Sequence, residues 1–269
     1  MITEDLKNFP KQFSWEPKIE NSDKLVAAEN LVVCGMGGSH LAADLIKIAL
    51  PQLPLTIHSD YGFPLLPKPG LGIISSHSGN TEETLDSFGS ALRQKIPAAV
   101  ITSGGKLLEL AKEHNTPFVQ TPDSKIQPRL ALGYSTMALL KILGQKEALV
   151  EASRLSDLLD PLSAETKGQE LAQKLQNKIP IIYASASNLA IAQTWKIKFN
   201  ETAKIPAFSN VLPELNHNEM SGFDTKAKTM PLMEKFHFVF LQNQADHPQI
   251  IKRLDATKRL LERQEFKVD

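Results

Sequence analysis

Three hydroxyl side chains, Ser76, Ser78 and Thr81, crowd one short stretch of the sequence. Apolar residues precede them and an acidic, helix-favouring segment follows, an order that predicts a strand, a tight loop and a helix start. The first N–H groups of a helix have no intrahelical partner and carry partial positive charge. Together with hydroxyls they can hold a phosphate dianion without a lysine. A plain serine N-cap with a glycine turn has the same pattern, so both interpretations stay open.

Glu201 is a candidate general base near the end of a long helix predicted over residues 188–204. At 100° per residue, one apolar stripe of this helix is formed by Leu189, Ala192, Trp195, Phe199 and Ala203. A second stripe, roughly opposite, consists of Ala190, Thr194, Ile197 and Glu201. A carboxylate on a helix that is covered on two sides can serve as a base. The alternative is a carboxylate at a helix end in contact with water.

His217 lies in a segment, residues 213–219, that also holds two carboxylates and two amides. Histidine titrates near neutral pH and suits acid–base chemistry. A capping cluster at a helix start is the alternative interpretation. A metal site fits poorly, because one histidine among scattered carboxylates lacks a recognised ligand spacing.

Arg129 precedes another predicted helix, where it can clamp a phosphate or pair with a carboxylate in the core. A glycine-rich turn, residues 35–39, follows the first predicted strand and ends in Gly38 and Ser39. Glycine lets a ligand approach the backbone closely, and Ser39 can cap the next helix or touch the ligand. The glycine spacing differs from the dinucleotide-binding fingerprint, and Asp60 does not end the second strand, so a nucleotide-dependent oxidoreductase is a weak interpretation.

The elements that position these residues alternate between strand and helix. In the first half, strands are predicted over residues 31–34, 54–58, 71–75, 97–102 and 116–120. In the second half, strands are predicted over residues 180–184, 206–208 and 236–242, with one more beginning at 266. This rhythm indicates an α/β protein of two doubly wound, flavodoxin-like domains with parallel sheets, over residues 1–150 and 151–269. Ligands of such domains bind outside the carboxyl ends of the strands.

Composition excludes several classes of function. The 269 residues hold 30 basic and 30 acidic side chains, and zero net charge argues against a nucleic-acid or anionic-membrane surface. No apolar run is long enough for a membrane span, and the N-terminus has no signal-peptide pattern. The single cysteine, Cys34, excludes an intramolecular disulfide and is typical of a buried small residue. A cytoplasmic location is therefore expected.

Five motifs in this order resemble the bifunctional phosphoglucose/phosphomannose isomerases, a family built from two sugar isomerase (SIS) domains. They are Gly-Met-Gly-Gly-Ser (35–39), Ser-His-Ser-Gly-Asn-Thr-x-Glu-Thr (76–84), Gln-Pro-Arg (127–129), Asn-Glu-x-Ala-Lys (200–204) and Pro-Glu-x-Asn-His-Asn-Glu (213–219). The likeness spans nearly the whole chain. Many SIS proteins that bind sugar phosphates share the serine loop, whereas the Asn-His-Asn-Glu segment is more specific and argues against an isomerase of pentose or heptose phosphates.

The resemblance implies an aldose–ketose isomerase that needs no metal and no cofactor. It would interconvert glucose 6-phosphate with fructose 6-phosphate through an enediol, and mannose 6-phosphate is a candidate second substrate. Ser76, Ser78 and Thr81 match the phosphate loop of the family. Gly38 and Ser39 match positions that line the substrate.

The same resemblance assigns the catalytic roles. Glu201 matches the base that moves the proton between C1 and C2, and Arg129 matches an arginine near the enediol oxygens. His217 matches the acid–base group for ring opening, which in this family reaches the site from the neighbouring subunit. A homodimer is therefore implied.

The chain departs from the family pattern at its end. Family members run some tens of residues further, with a lysine that assists ring opening and a threonine linked to acceptance of both epimers. This sequence ends at Asp269 and has no counterpart of either, since Lys258 and Lys267 precede that region. Two functions follow as expectations. One is the isomerase; the alternative is a SIS protein that binds sugar phosphates with little or no catalysis.

Overall fold

The computed structural model describes residues 2–65, 70–122, 125–223 and 230–269. The chain divides into two compact units, Met1–Ala164 and Glu165–Asp269. The sequence places this division somewhat earlier, after residue 150. Each unit has a parallel β-sheet of its own.

The sheet of the first unit has five strands, each close to its predicted bounds. They are β1 (Asn30–Cys34), β2 (Leu55–His58), β3 (Gly70–Ser75), β4 (Ala98–Thr102) and β5 (Phe118–Gln120). Their order is β2-β1-β3-β4-β5 and every pairing is parallel. The α/β class with parallel sheets, which the alternation predicts, is confirmed.

Seven helices accompany this sheet among the described residues, and an eighth crosses into the second unit. They are α1 (Ile2–Lys7), α2 (Leu41–Ala49), α3 (Glu82–Arg93), α4 (Gly105–Glu113), α5 (Leu132–Ile142), α6 (Lys146–Ser153), α7 (Leu155–Leu158) and, crossing the division, α8 (Pro161–Lys174). Within the described ranges, none of the helices of the chain combines the length and the apolar character needed to cross a membrane.

Both faces of the first sheet are covered, which is why its strands read as continuous apolar runs. Val33 and Ile73 belong to one buried cluster with side chains of α2 and α5. Val32 and Ile74 belong to the opposite cluster with side chains of α3 and α4. Cys34 lies in the second cluster at 1% exposure, as expected of a buried small residue.

The sheet of the second unit has four parallel strands in the order β7-β6-β8-β9. They are β6 (Ile179–Ser185), β7 (Phe208–Leu212), β8 (Phe236–Leu241) and β9 (Lys267–Val268). Helices α9 (Leu189–Lys198) and α10 (Pro248–Arg263) complete the unit. Numbered within the unit, this order is 2-1-3-4, the same as that of the first four strands of the first sheet.

Two predicted elements of the second unit are wrong in their bounds. The strand expected over residues 206–208 begins at Phe208 and runs to Leu212. It is an edge strand with a single buried residue, Leu212, so its apolar signal is weak. The helix expected over residues 188–204 is α-helical to Lys198, and a π-helical turn, Phe199–Ala203, follows it.

The apolar stripe predicted on α9 is present in part. Ala192 is buried, and Trp195 and Phe199 pack with it against Ile182 and other residues of the sheet. Leu189, which was expected in the same stripe, is 40% exposed. One face of α9 therefore covers the sheet from Ala192 onward.

Candidate active site

Two loops of the first unit leave the sheet from adjacent strands. β1 lies between β2 and β3, so the direction in which the chain adds strands reverses between β1 and β3. Such a switch point leaves a crevice at the carboxyl ends of the strands, where ligands of doubly wound sheets bind. The turn with Gly38 and Ser39 follows β1, and the hydroxyl loop, residues 76–81, follows β3.

Ser39 ties the two loops together. Its hydroxyl oxygen accepts a hydrogen bond from the backbone N–H of His77 at 3.2 Å. Its carbonyl oxygen accepts a second one from the Ser75 hydroxyl at 2.8 Å. The sequence predicts both loops but not this link, which fixes the glycine turn against the start of the hydroxyl loop.

The hydroxyl loop is held by bonds within itself. Ser76 is 1% exposed, and its Oγ accepts from the N–H of Gly79 at 3.1 Å and lies 3.0 Å from Oγ1 of Thr81. The exposed Ser78 accepts from the N–H of Asn80 at 3.2 Å. These serine hydroxyls bond to amides of the loop that precede α3. The serine N-cap interpretation of this segment is therefore wrong.

Thr81 occupies the N-cap position of α3 in an extended conformation, and its side chain makes no capping hydrogen bond to the amides described at the helix start. The hydroxyl is instead within hydrogen-bond distance of Ser76. The dipole of this 12-residue helix adds positive potential at the loop. The arrangement of hydroxyls at a helix N-terminus is suited to an anion.

Residues outside the sequence motifs, in the segment after β4, brace this loop. Ser103 donates its hydroxyl hydrogen bond to the carbonyl of His77 at 2.7 Å. Gly79 has a φ of +69°, and a Cβ there would lie 1.8 Å from the carbonyl oxygen of Gly104. The sequence carries a signal for this contact: a glycine pair, residues 104–105, lies two residues after the end of the predicted fourth strand and thus at the same edge of the sheet.

Arg129 lies in a short turn, Pro128–Leu130, and is 8% exposed. The backbone of Gly38 packs against this turn, because a Cβ on Gly38 would lie 2.8 Å from the Arg129 nitrogen. The structure therefore joins Arg129 to the hydroxyl loop through Gly38 and Ser39. A buried guanidinium needs anionic or polar partners, and both a substrate oxygen and a core carboxylate qualify.

Glu201 belongs to the second unit and lies in the π-helical turn, half-buried. Lys204 ends the turn in the left-handed conformation at φ +59°, and Asn200 donates a hydrogen bond from Nδ2 to the carbonyl of Ile205 at 3.0 Å. A π turn winds more slowly than 100° per residue, so the direction of Glu201 cannot be read from helical spacing. Such turns are frequent at functional sites.

His217 is exposed at the end of a short turn, Glu214–His217. A second turn, Glu219–Gly222, follows, and Asn218 caps it by accepting from the N–H of Glu219 at 2.6 Å. The capping interpretation of this segment is thus confirmed for Asn218. The acid–base role of His217 stays a prediction. Among the described residues, no group of three His, Cys, Asp or Glu side chains is arranged to hold a metal ion.

A parallel α/β sheet with helices on both faces, and with a hydroxyl loop after β3 at its switch point, is the architecture of the SIS-type fold. The family described as "bacterial phospho-glucose isomerase C-terminal SIS domain" matches residues 164–269. A bifunctional phosphoglucose/phosphomannose isomerase from Aquifex aeolicus is 34% identical over 96% of this chain and 79% of its own length. Its counterpart from Caldicellulosiruptor bescii is 35% identical over 96% of this chain and 81% of its own length. The chain belongs to the family of bifunctional phosphoglucose/phosphomannose isomerases.

Solved structures agree on the fold. Glucosamine-6-phosphate deaminase from Thermotoga maritima aligns with a TM-score of 0.69 at 15% identity, over 99% of this chain and 82% of that one. Tagatose-6-phosphate ketose/aldose isomerase from Escherichia coli aligns with a TM-score of 0.67 at 17% identity, over 98% of this chain and 78% of that one. At these identities the likeness supports the SIS-type fold alone.

Proposed function

We propose that the chain is an aldose–ketose isomerase that interconverts glucose 6-phosphate and mannose 6-phosphate with fructose 6-phosphate. Family membership supports the reaction class, because the relatives carry this activity in their names. We also propose that both units, not the second alone, are SIS domains. The equivalent strand orders of the two sheets support this.

The observation that carries the proposal is the preformed hydroxyl loop at the switch point of the first sheet. Ser76 and Thr81 are already in hydrogen-bond contact, and Gly79 holds the backbone in a conformation that a side chain would strain. A loop that is ordered by its own bonds loses little entropy when it binds a phosphate. Binding the phosphate, far from the reacting carbons, orients the sugar for chemistry.

In this mechanism, His217 opens the furanose ring by protonating the ring oxygen as the anomeric hydroxyl loses its proton. The Glu201 carboxylate then removes a proton from C1 of the open-chain ketose, which gives the 1,2-enediolate with its negative charge on O2. Return of that proton to C2, with transfer of the hydroxyl proton from O1 to O2, gives the aldose. Arg129 stabilises the negative charge that develops on the enediolate oxygen.

We further propose a homodimer in which His217 acts on the substrate of the partner subunit. The exposure of His217 is consistent with such a role. A lone, buried cysteine suits a reducing compartment, which supports a cytoplasmic place in carbohydrate metabolism.

The test is a coupled assay that follows glucose 6-phosphate and mannose 6-phosphate formed from fructose 6-phosphate. Three proteins are compared: the unaltered chain, Glu201→Gln, and Glu262→Gln as a matched control on the exposed side of α10. We expect turnover by the unaltered chain and the control and none above background by Glu201→Gln. Equal background rates in all three, with thermal stabilisation by fructose 6-phosphate, would replace the isomerase with a sugar-phosphate-binding protein.

A further inference from the structure

The polar side chains around His217 are hydrogen-bonded to one another or to α10. Asn216 donates from Nδ2 to Oγ1 of Thr257 on α10 at 2.9 Å. Asn218 donates from Nδ2 to Oε1 of Glu214 at 2.8 Å. Leu215 is fully buried in the core of the unit. The segment is therefore anchored on both sides of the exposed histidine.

The firmest anchor is Glu219, two residues after His217. Its Oε1 accepts a hydrogen bond from the hydroxyl of Tyr183 at 2.5 Å. Its Oε2 accepts one from the side-chain amide of Asn210. Each oxygen of this carboxylate thus has a donor from the sheet, which we call the Glu219 clamp (Tyr183, Asn210 and Glu219).

The two donors come from directly paired positions, because Tyr183 on β6 and Asn210 on β7 are partners in the strand register. Side chains at paired positions of neighbouring strands lie on the same face of a sheet. The tyrosine ring is fully buried and packs on Phe238 and Phe240, with ring centroids 5.4 and 5.6 Å away. The tyrosine of the clamp is therefore held within the core of the sheet.

Burial and the neighbouring Glu219 carboxylate both raise the pKa of Tyr183 far above its usual range. The phenol stays protonated at every pH at which the protein would work, so it remains a donor. Nothing in the chemistry of the isomerisation requires Tyr183 or Glu219 to exchange protons with a sugar.

We propose that the Glu219 clamp is a positioning device for His217, with Tyr183 as a positioning residue for ring opening. The inference rests on the proposed function, in which His217 opens the sugar ring. A catalytic group displaced by about 1 Å can lose about 100-fold in rate. Glu219 lies two residues after His217 and is bonded to side chains of two strands, so it restricts displacement of the histidine.

The test compares two substrates. Fructose 6-phosphate is cyclic and must be opened. 5-Deoxyfructose 6-phosphate lacks the hydroxyl that closes the furanose ring, so it is permanently open. Tyr183→Phe removes the donor and keeps the buried ring, His217→Gln removes the acid–base group, and Tyr134→Phe is the control for loss of a tyrosine hydroxyl.

For Tyr183→Phe we expect kcat on fructose 6-phosphate to fall about 10- to 100-fold, with little change in KM and with turnover of the open substrate unchanged. His217→Gln should show the same pattern, and Tyr134→Phe should behave as the unaltered chain. If Tyr183→Phe lowers kcat equally on both substrates while His217→Gln affects only the cyclic one, the clamp is a general structural feature and the proposal is wrong. If Tyr183→Phe leaves kcat and KM unchanged on both substrates, the clamp has no part in catalysis.

Failure of the proposed function gives different results. If His217→Gln loses turnover of both substrates equally, the assigned role of His217 is wrong. If the unaltered chain turns over neither substrate, the isomerase itself is wrong. Whether the clamp positions His217 is then tested by nitrogen-15 NMR of the His217 ring, whose resonances are assigned by their loss in His217→Gln. Broadening or splitting of these resonances in Tyr183→Phe supports positioning, and unchanged resonances contradict it.

Discussion

The backbone of Gly38 lies so close to Arg129 that a β-carbon on the glycine would be 2.8 Å from the arginine nitrogen. This approach joins the turn after β1 to the turn that carries a buried guanidinium. It gives the glycine a steric role, and it links two motifs that are about ninety residues apart in the sequence.

Substitution of Gly38 tests that approach. Because backbone atoms cannot swing aside, we expect Gly38→Ala to lower the free energy of unfolding by about 1–3 kcal/mol and to raise KM for fructose 6-phosphate. Gly89→Ala is the matched control in α3, where the near neighbour is the flexible end of Arg93 at 3.3 Å. The control should be neutral or more stable by up to about 1 kcal/mol. Urea unfolding and initial rates measure both, and an unperturbed Gly38→Ala would refute the close packing.

Both its backbone conformation and the space around it disfavour a side chain at Gly79 in the hydroxyl loop. A Cβ there would need a positive φ and would meet the Gly104 carbonyl, whereas Gly62 also has a positive φ but has open space around it. Gly62→Ala should cost about 1–2 kcal/mol from backbone strain alone. Gly79→Ala should lower the free energy of unfolding by more than Gly62→Ala does, and it should abolish thermal stabilisation by fructose 6-phosphate. Equal losses of stability for the two variants, with binding retained, would show that the loop tolerates rearrangement.

Two serines of the loop should respond differently to alanine. Ser76 is buried and accepts from Gly79, so Ser76→Ala should destabilise the protein by about 1–3 kcal/mol and weaken binding. Ser78 is exposed, so Ser78→Ala should change stability by less than about 0.5 kcal/mol while raising KM for fructose 6-phosphate. Isothermal titration and urea unfolding separate these effects. An unchanged KM in Ser78→Ala would remove that hydroxyl from the phosphate site.

Cys34 should make stability depend on pH in the alkaline range. Burial raises the pKa of its thiol, and a hydrogen bond with Ser87 lowers that pKa by less. The net change in pKa is from 9.0 to about 12. The unfolded chain releases this proton first, so the contribution of Cys34 is intact below pH 9.0 and is lost between pH 9.0 and about 12. We expect the free energy of unfolding to fall across this range by up to about 1.4 kcal/mol per pH unit more than in Cys34→Ala. Parallel slopes for the two proteins, measured by urea unfolding from pH 8 upward, would contradict this prediction.

Much of the first unit could be predicted from sequence because its strands are buried on both faces and read as unbroken apolar runs. The edge strand β7 was misplaced because only Leu212 among its five residues is buried. The sequence predicts α-helix where the π turn carries Glu201, since apolar spacing does not distinguish the two kinds of helix over one turn.

The chemistry of the candidate site could be read from motifs, but its supports could not. The Gly38–Arg129 approach and the Ser39–His77 bond join segments far apart in the chain. The Glu219 clamp depends on the register of β6 and β7, which places Tyr183 beside Asn210. Such contacts follow from tertiary packing and leave no local pattern in the sequence.

Solvent hydrogen exchange tests the central claim, that Glu201 moves a proton through an enediol. The protein is held with fructose 6-phosphate in D₂O for many turnovers, and deuterium at C1 is measured by proton NMR. A proton held on a carboxylate exchanges with solvent in some turnovers, so we expect one C1 position to become nearly fully deuterated. Glu201→Gln should incorporate none over the same time, and Glu262→Gln should match the unaltered chain. Product formation without deuterium uptake, or uptake by Glu201→Gln at the rate of the unaltered chain, would contradict the account.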